Sequence, residues 1–189
     1  MFKWIDKNIS LFIEKTDIPK EDVPIIEYGL KQGIKSITGF ILAAIVGVIM
    51  RISFPSILFM LSYILLRIYA GGYHADTEKK CAVLSTISVI GAFVIIKVGL
   101  DNKALILISS LICVVVICVF APIDNPRNIV SRTEKKYYKK IAIVITVLYM
   151  GVCGIASFMD LYIVARCMQA TFLLTAINVI TGCVKYKKL

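Results

Sequence analysis

Six long apolar runs limit what this chain can fold into more than any other feature. They cover roughly residues 37–50, 54–69, 82–99, 104–121, 141–159 and 161–184. A helix needs about 20 mostly apolar residues to cross the hydrocarbon core of a bilayer. The chain is 59% hydrophobic, where a soluble domain is about half apolar, and the excess is gathered into these runs. The pattern predicts an all-α polytopic integral membrane protein with about six transmembrane helices, in one membrane domain over residues 37–189. Arg51 and Pro55 mark a turn between the first two runs. Asp101, Asn102 and Lys103 mark another hairpin tip, and Asp160 marks a tight one. The second run is short for a full span, so it must tilt or end inside the membrane.

Residues 1–36 form a separate N-terminal part. Phe2, Ile5, Ile9 and Phe12 recur at helical spacing, with Lys3, Lys7, Ser10 and Glu14 on another side. That periodicity predicts an amphipathic helix over 1–15. It is too charged to span, and it suits either the membrane interface or an ordinary packed surface. Trp4 fits the headgroup level. Pro19 and Pro24 make 16–36 a connector, with a short helix after Pro24. The region shows no apolar signal-peptide core, so no cleavable export signal is expected.

The formal net charge is +10. Basic residues flank membrane helices on the cytoplasmic side, which explains the charge without nucleic acid. With six spans both termini share one side. Residues 1–36, 67–81, 122–140 and 185–189 then hold 18 of the 22 Lys and Arg residues. The expectation is a multi-pass protein of the bacterial cell membrane with both termini cytoplasmic. Five spans would split these clusters between the two sides.

One stretch carries chemistry: Arg67-Ile68-Tyr69-Ala70-Gly71-Gly72-Tyr73-His74-Ala75-Asp76-Thr77-Glu78-Lys79-Lys80-Cys81. It contains the only histidine in the chain. A nucleophilic cysteine needs a nearby base or cation to raise its thiolate fraction, and His74 is the only imidazole. Of the six cysteines, five lie within apolar runs and none forms a CxxC pair. A zinc or dithiol site therefore has little support, and no metal or cofactor is expected. Cys81 differs because charged residues surround it at the edge of a run. Residues seven apart on a straight helix lie about 10 Å apart along the axis, too far for His74 to reach Cys81. Gly71 and Gly72 predict a bend that brings them together. Plainer roles exist for each residue: an interfacial histidine, a structural cysteine, an arginine snorkelling to headgroups. Arg67 does lie inside an apolar run, where an ionisable residue is a functional candidate. Asp76, Glu78, Asp101 and Asp124 are open as a third orienting group.

The pattern Arg67-x-x-x-Gly71-Gly72-x-His74 followed by Cys81 closely resembles the signature of the accessory gene regulator protein B (AgrB) family. These are bacterial membrane peptidases that process quorum-sensing propeptides. Ala121-Pro122-Ile123-Asp124-Asn125-Pro126, followed by a basic loop, resembles a second stretch of that family. The length and the six-run hydropathy also agree. The resemblance implies that Cys81 is the nucleophile of a cysteine peptidase and His74 its general base. It gives Arg67, Gly71 and Gly72 supporting roles. The implied substrate is an AgrD-like propeptide, released as a cyclic thiolactone or lactone through an acyl-enzyme thioester. The basic loop, with Arg132, Lys135, Lys136, Lys139 and Lys140, would set topology and meet anionic lipid. It would also grip the acidic tail typical of such propeptides. A homodimer suits so small a membrane enzyme. The alternative is a small non-enzymatic membrane transporter or scaffold component. A transporter would carry polar residues through several spans, and here they are few: Lys97, Arg166, Gln169 and Asn178.

Overall fold

A computed structural model describes residues 23–73, 77–123 and 132–186. The expected helix over 1–15 lies outside these residues. The described residues form six α-helices: α1 Val23–Ile49, α2 Ser53–Ala70, α3 Glu78–Val98, α4 Lys103–Phe120, α5 Arg132–Phe158 and α6 Tyr162–Tyr186. The protein is an all-α membrane protein. Five helices, α2 to α6, are long and apolar enough to cross a bilayer.

Three expectations change. The short helix expected after Pro24 is instead part of one continuous helix of 27 residues, α1, which runs on to Ile49. Pro24 sits in its first turn, where proline is tolerated because its missing N–H would lack a partner. The first run, not the second, falls short of a span: the apolar part of α1 is only Ile37–Ile49, roughly 20 Å at 1.5 Å per residue. The second run gains one residue at each end, since α2 runs from Ser53, with Pro55 in its first turn, to Ala70. Finally, residues 132–140 form the first turns of α5 and not a loop.

The chain divides into two units, Met1–Ile45 and Val46–Leu189. In the first, the described part is the bulk of α1. In the second, the last turn of α1 reverses through Arg51, at φ +58°. Ile52 N–H donates to the Gly47 carbonyl at 2.8 Å.

Helix α6 is the hub of the second unit. It packs against α2, α3, α4 and α5, and 67% of its span is buried, against 17–39% in the other four. Its buried Ala165, Ala170, Ala176 and Gly182 let neighbouring backbones approach. Side-chain hydrogen bonds pin it within the bundle. Thr171 meets Ser62 of α2 at 2.9 Å, Gln169 Nε2 donates to Ser109 of α4 at 2.7 Å, and Asn178 Nδ2 donates to Tyr63 of α2 at 3.1 Å. Phe59 anchors α2 by stacking on Tyr63 and meeting Phe93 of α3 edge-on.

The bundle has two different ends. At one, ion pairs dominate. Arg166 Nη1 donates to the Gly99 carbonyl at 2.5 Å, and its Nη2 lies 3.4 Å from Asp101. Lys103 pairs with Asp160 at 3.0 Å. Hydrogen bonds from Lys103 and then from the Tyr162 hydroxyl hold the Asp160 carboxyl below its ordinary range. The opposite end gathers the C-termini of α2, α4 and α6 with the N-termini of α3 and α5, and there the chain is tied by backbone.

Candidate active site

The motif stretch is broken where the glycines predict it. Helix α2 stops at Ala70, and α3 begins at Glu78 behind Thr77, whose hydroxyl accepts from Lys80 N–H at 3.3 Å. Gly71 has φ +66° and Gly72 φ +130°, a region that favours glycine. Space imposes the same choice. A Cβ on Gly71 would collide with the Ile123 carbonyl, and one on Gly72 with the Arg67 guanidinium.

The turn is held on three sides. Ile123, just after α4, donates its N–H to the Ala70 carbonyl at 3.1 Å and forms a parallel bridge with Gly71. This joins the two stretches that carry the family resemblance. From α6, the Asn178 carbonyl accepts the Tyr73 N–H at 2.9 Å. From α2, Arg67 donates through Nη1 to the Gly71 carbonyl and through Nη2 to the Tyr73 carbonyl, the latter at 2.6 Å. Both backbone groups of Tyr73 are therefore fixed, and Tyr73 immediately precedes His74. His74 and Asp76 themselves lie outside the described residues, as does Asp124.

Gly182 makes this docking possible. A Cβ there would lie 2.9 Å from Gly72 C and Tyr73 N and 3.1 Å from Ile123 Cγ2. The glycine leaves a slot in α6 into which the turn settles.

Cys81 is half-buried in the first turn of α3. Its N–H donates to the Thr77 carbonyl at 3.0 Å. Arg67 lies close enough to interact electrostatically with Cys81, Tyr63 and Tyr186, and Tyr63 interacts with Cys81 in the same way. The fold thus gathers Arg67, Gly71 and Gly72 at one turn, with Cys81 in the first turn of the helix that follows. Asp101 does not join them. It follows the far end of α3, about 30 Å from Cys81 at helical rise, and it is paired with Arg166.

The basic helical turns approach the same end. Tyr138 of α5 meets Tyr69 of α2 edge-to-face, with ring centroids 5.9 Å apart. Lys135, Lys136, Lys139 and Lys140 are exposed there. Arg132 begins α5. Lys185 of α6 lies 4.8 Å from the centre of the Tyr73 ring.

The description "Accessory gene regulator B" fits residues 2–181 of the chain as a family model. The chain belongs to the AgrB family. Two proteins of Clostridium perfringens with AgrB-like names are similar to it. That of strain SM101 (Type A) is 26% identical over 156 residues, covering 78% of this chain and 72% of the relative. That of strain 13 (Type A) is 27% identical over 157 residues, covering 76% and 73%. No solved structure matches the chain. Membership in the AgrB family ties the protein to accessory gene regulation, a quorum-sensing system. It also implies a link to an AgrD-like propeptide.

Sequence reasoning reached Arg67, the glycine pair and Cys81 but missed what α6 contributes. Asn178 was visible as an amide inside an apolar run, and Gly182 as a glycine four residues later. An amide in a span must find a partner. That signal marks Asn178 as a contact residue but does not name the contact.

Proposed function

We propose that the protein is a membrane cysteine endopeptidase that cleaves an AgrD-like propeptide and closes its signal segment into a thiolactone or lactone ring. One observation carries the reading. The Gly71–Gly72 break, clamped by Arg67, fixes the residue before His74 while Cys81 opens the next helix within electrostatic reach of the same arginine. A break of this kind supplies what a straight helix denies a His and Cys seven residues apart.

The chemistry then runs in two transfers. His74 takes the Cys81 thiol proton, and the thiolate attacks the scissile carbonyl. The tetrahedral intermediate collapses with loss of the amine, which receives the proton from His74. The signal segment remains as a thioester on Cys81. A cysteine or serine side chain within that segment attacks the thioester, closes the ring and releases the Cys81 thiol. Thioester exchange to a thiolactone is nearly isoenergetic, so the energy of the peptide bond is conserved. A site at the end of an apolar bundle limits water at the thioester. The concentration of Lys and Arg at this end supports a cytoplasmic position for it.

The test is co-expression of the propeptide with wild type, Cys81→Ala or His74→Ala, followed by mass spectrometry of the cleaved and cyclised products. Both variants should leave the propeptide intact while remaining in the membrane at wild-type level. Full processing by either one overturns the assignment.

A further inference from the structure

A cysteine peptidase needs more than a nucleophile and a base. As the thiolate attacks, negative charge develops on the carbonyl oxygen, and a hydrogen-bond donor aimed at that oxygen is worth about 10²–10³ in rate. The nucleophile's own backbone N–H is one source of such a donor. Here the Cys81 N–H is occupied by the Thr77 carbonyl at 3.0 Å. Two side chains near the turn already direct hydrogens at fixed acceptors. Arg67 Nη1 and Nη2 each hold a loop carbonyl. The two hydrogens of Asn178 Nδ2 are used by the Tyr63 hydroxyl oxygen and the Leu174 carbonyl, at 3.1 and 2.9 Å.

Tyr63 has a hydroxyl hydrogen to spare. Its hydroxyl oxygen accepts from Asn178, and its own O–H donates to no acceptor among the described residues. A phenol that is already accepting a hydrogen bond is a better donor, because successive bonds polarise one another. The ring cannot wander. It stacks on Phe59 with planes 9° apart and centroids separated by 5.7 Å, and Phe59 is itself fully buried against Phe93. The residue stands one helical turn before Arg67, on the side of α2 that faces Asn178. Both Arg67 and Cys81 lie within electrostatic range of its hydroxyl. A rigid aromatic with one spare proton, beside the cation and the thiol, fits a preorganised donor.

We propose that Tyr63 is a further catalytic residue, whose hydroxyl, oriented by Asn178, donates a hydrogen bond to the oxyanion formed when Cys81 attacks the propeptide carbonyl. This rests on the peptidase reading above. In the step, the Sγ–C bond forms and the carbonyl π pair moves onto oxygen, where the Tyr63 proton meets it. On collapse the pair returns, the C–N bond breaks, and the Tyr63 proton stays on Tyr63. The proton that leaves with the amine is the one held by His74.

The experiment compares wild type, Tyr63→Phe and Cys81→Ala in propeptide cleavage kinetics. It is paired with the rate at which iodoacetamide alkylates Cys81, read from the Cys81 peptide by mass spectrometry. Phenylalanine keeps the ring that stacks on Phe59 and removes only the oxygen. Tyr63→Phe should lose about 10²–10³ in kcat with KM and the alkylation rate unchanged. Alkylation forms no oxyanion, so a donor of this kind cannot affect it. Wild-type kcat in Tyr63→Phe overturns the proposal. So does a fall in kcat matched by an equal change in alkylation rate, because the residue would then only shape the site. Activity in Cys81→Ala is a separate failure, that of the peptidase reading itself.

Discussion

Gly182→Ala isolates the seating of the turn on α6. In the interior of a helix, alanine is more favourable than glycine by about 1 kcal/mol. The added Cβ would lie 2.9 Å from two backbone atoms of the turn and 3.1 Å from an Ile123 methyl. Backbone cannot rotate away as a flexible side chain does, and α6 is held by four neighbours, so the turn must move. Overpacking of this kind costs about 1–3 kcal/mol. The two effects nearly cancel in stability, leaving a net loss of roughly 0–2 kcal/mol. They do not cancel in function. A shifted turn lengthens the Tyr73 to Asn178 bond and disturbs the Arg67 clamp, and displacement of reacting groups by about 1 Å can cost about 10²-fold in rate. The expected result is a melting temperature close to wild type in detergent, with propeptide cleavage reduced about 10- to 100-fold. Gly151→Ala is the control. It makes the same substitution inside α5, where a Cβ meets nothing within 4 Å, and it should retain full activity. Wild-type cleavage by Gly182→Ala would show that the turn is not seated by this slot.

Two further variants test the surrounding geometry. Arg67→Lys keeps the charge but cannot span the Gly71 and Tyr73 carbonyls with a planar fork; kcat should fall at least about 10-fold, and wild-type kcat would show that charge alone is needed. Replacing Lys135, Lys136, Lys139 and Lys140 together by glutamine should raise KM for a propeptide with an acidic tail while leaving membrane insertion and kcat intact. An unchanged KM for that substrate would assign these lysines to lipid and topology only.

The helical bundle could be read from the chain because hydrophobic burial in a bilayer is a local signal. Each run of sufficient length must satisfy its own backbone, whatever its neighbours do. The break at Gly71 and Gly72 was legible for a similar reason, since a cation, an imidazole and a thiol at heptad spacing cannot meet on one straight helix. Boundaries set by polar helix formers were not legible. Glu27, Lys31 and Lys35 continue α1 well before its apolar part begins, and Arg132 to Lys140 extend α5 beyond its own. The contribution of α6 was hidden for a deeper reason. Whether Gly182 is a mere spacer or a slot depends on which segment lies opposite, and Gly72 is more than a hundred residues away in the sequence. The same holds for Ile123, an ordinary apolar residue whose backbone happens to meet Gly71.

The central position of α6 also has a consequence in time. It leaves the ribosome after α2 to α5, yet it supplies the carbonyl and the slot that seat the turn before His74. While the earlier helices are already in the membrane, the Arg67 and Cys81 segments wait without the surface that orders them. The motif is thus seated only once α6 has been made, and an interrupted chain lacking α6 carries the motif in full but not its geometry.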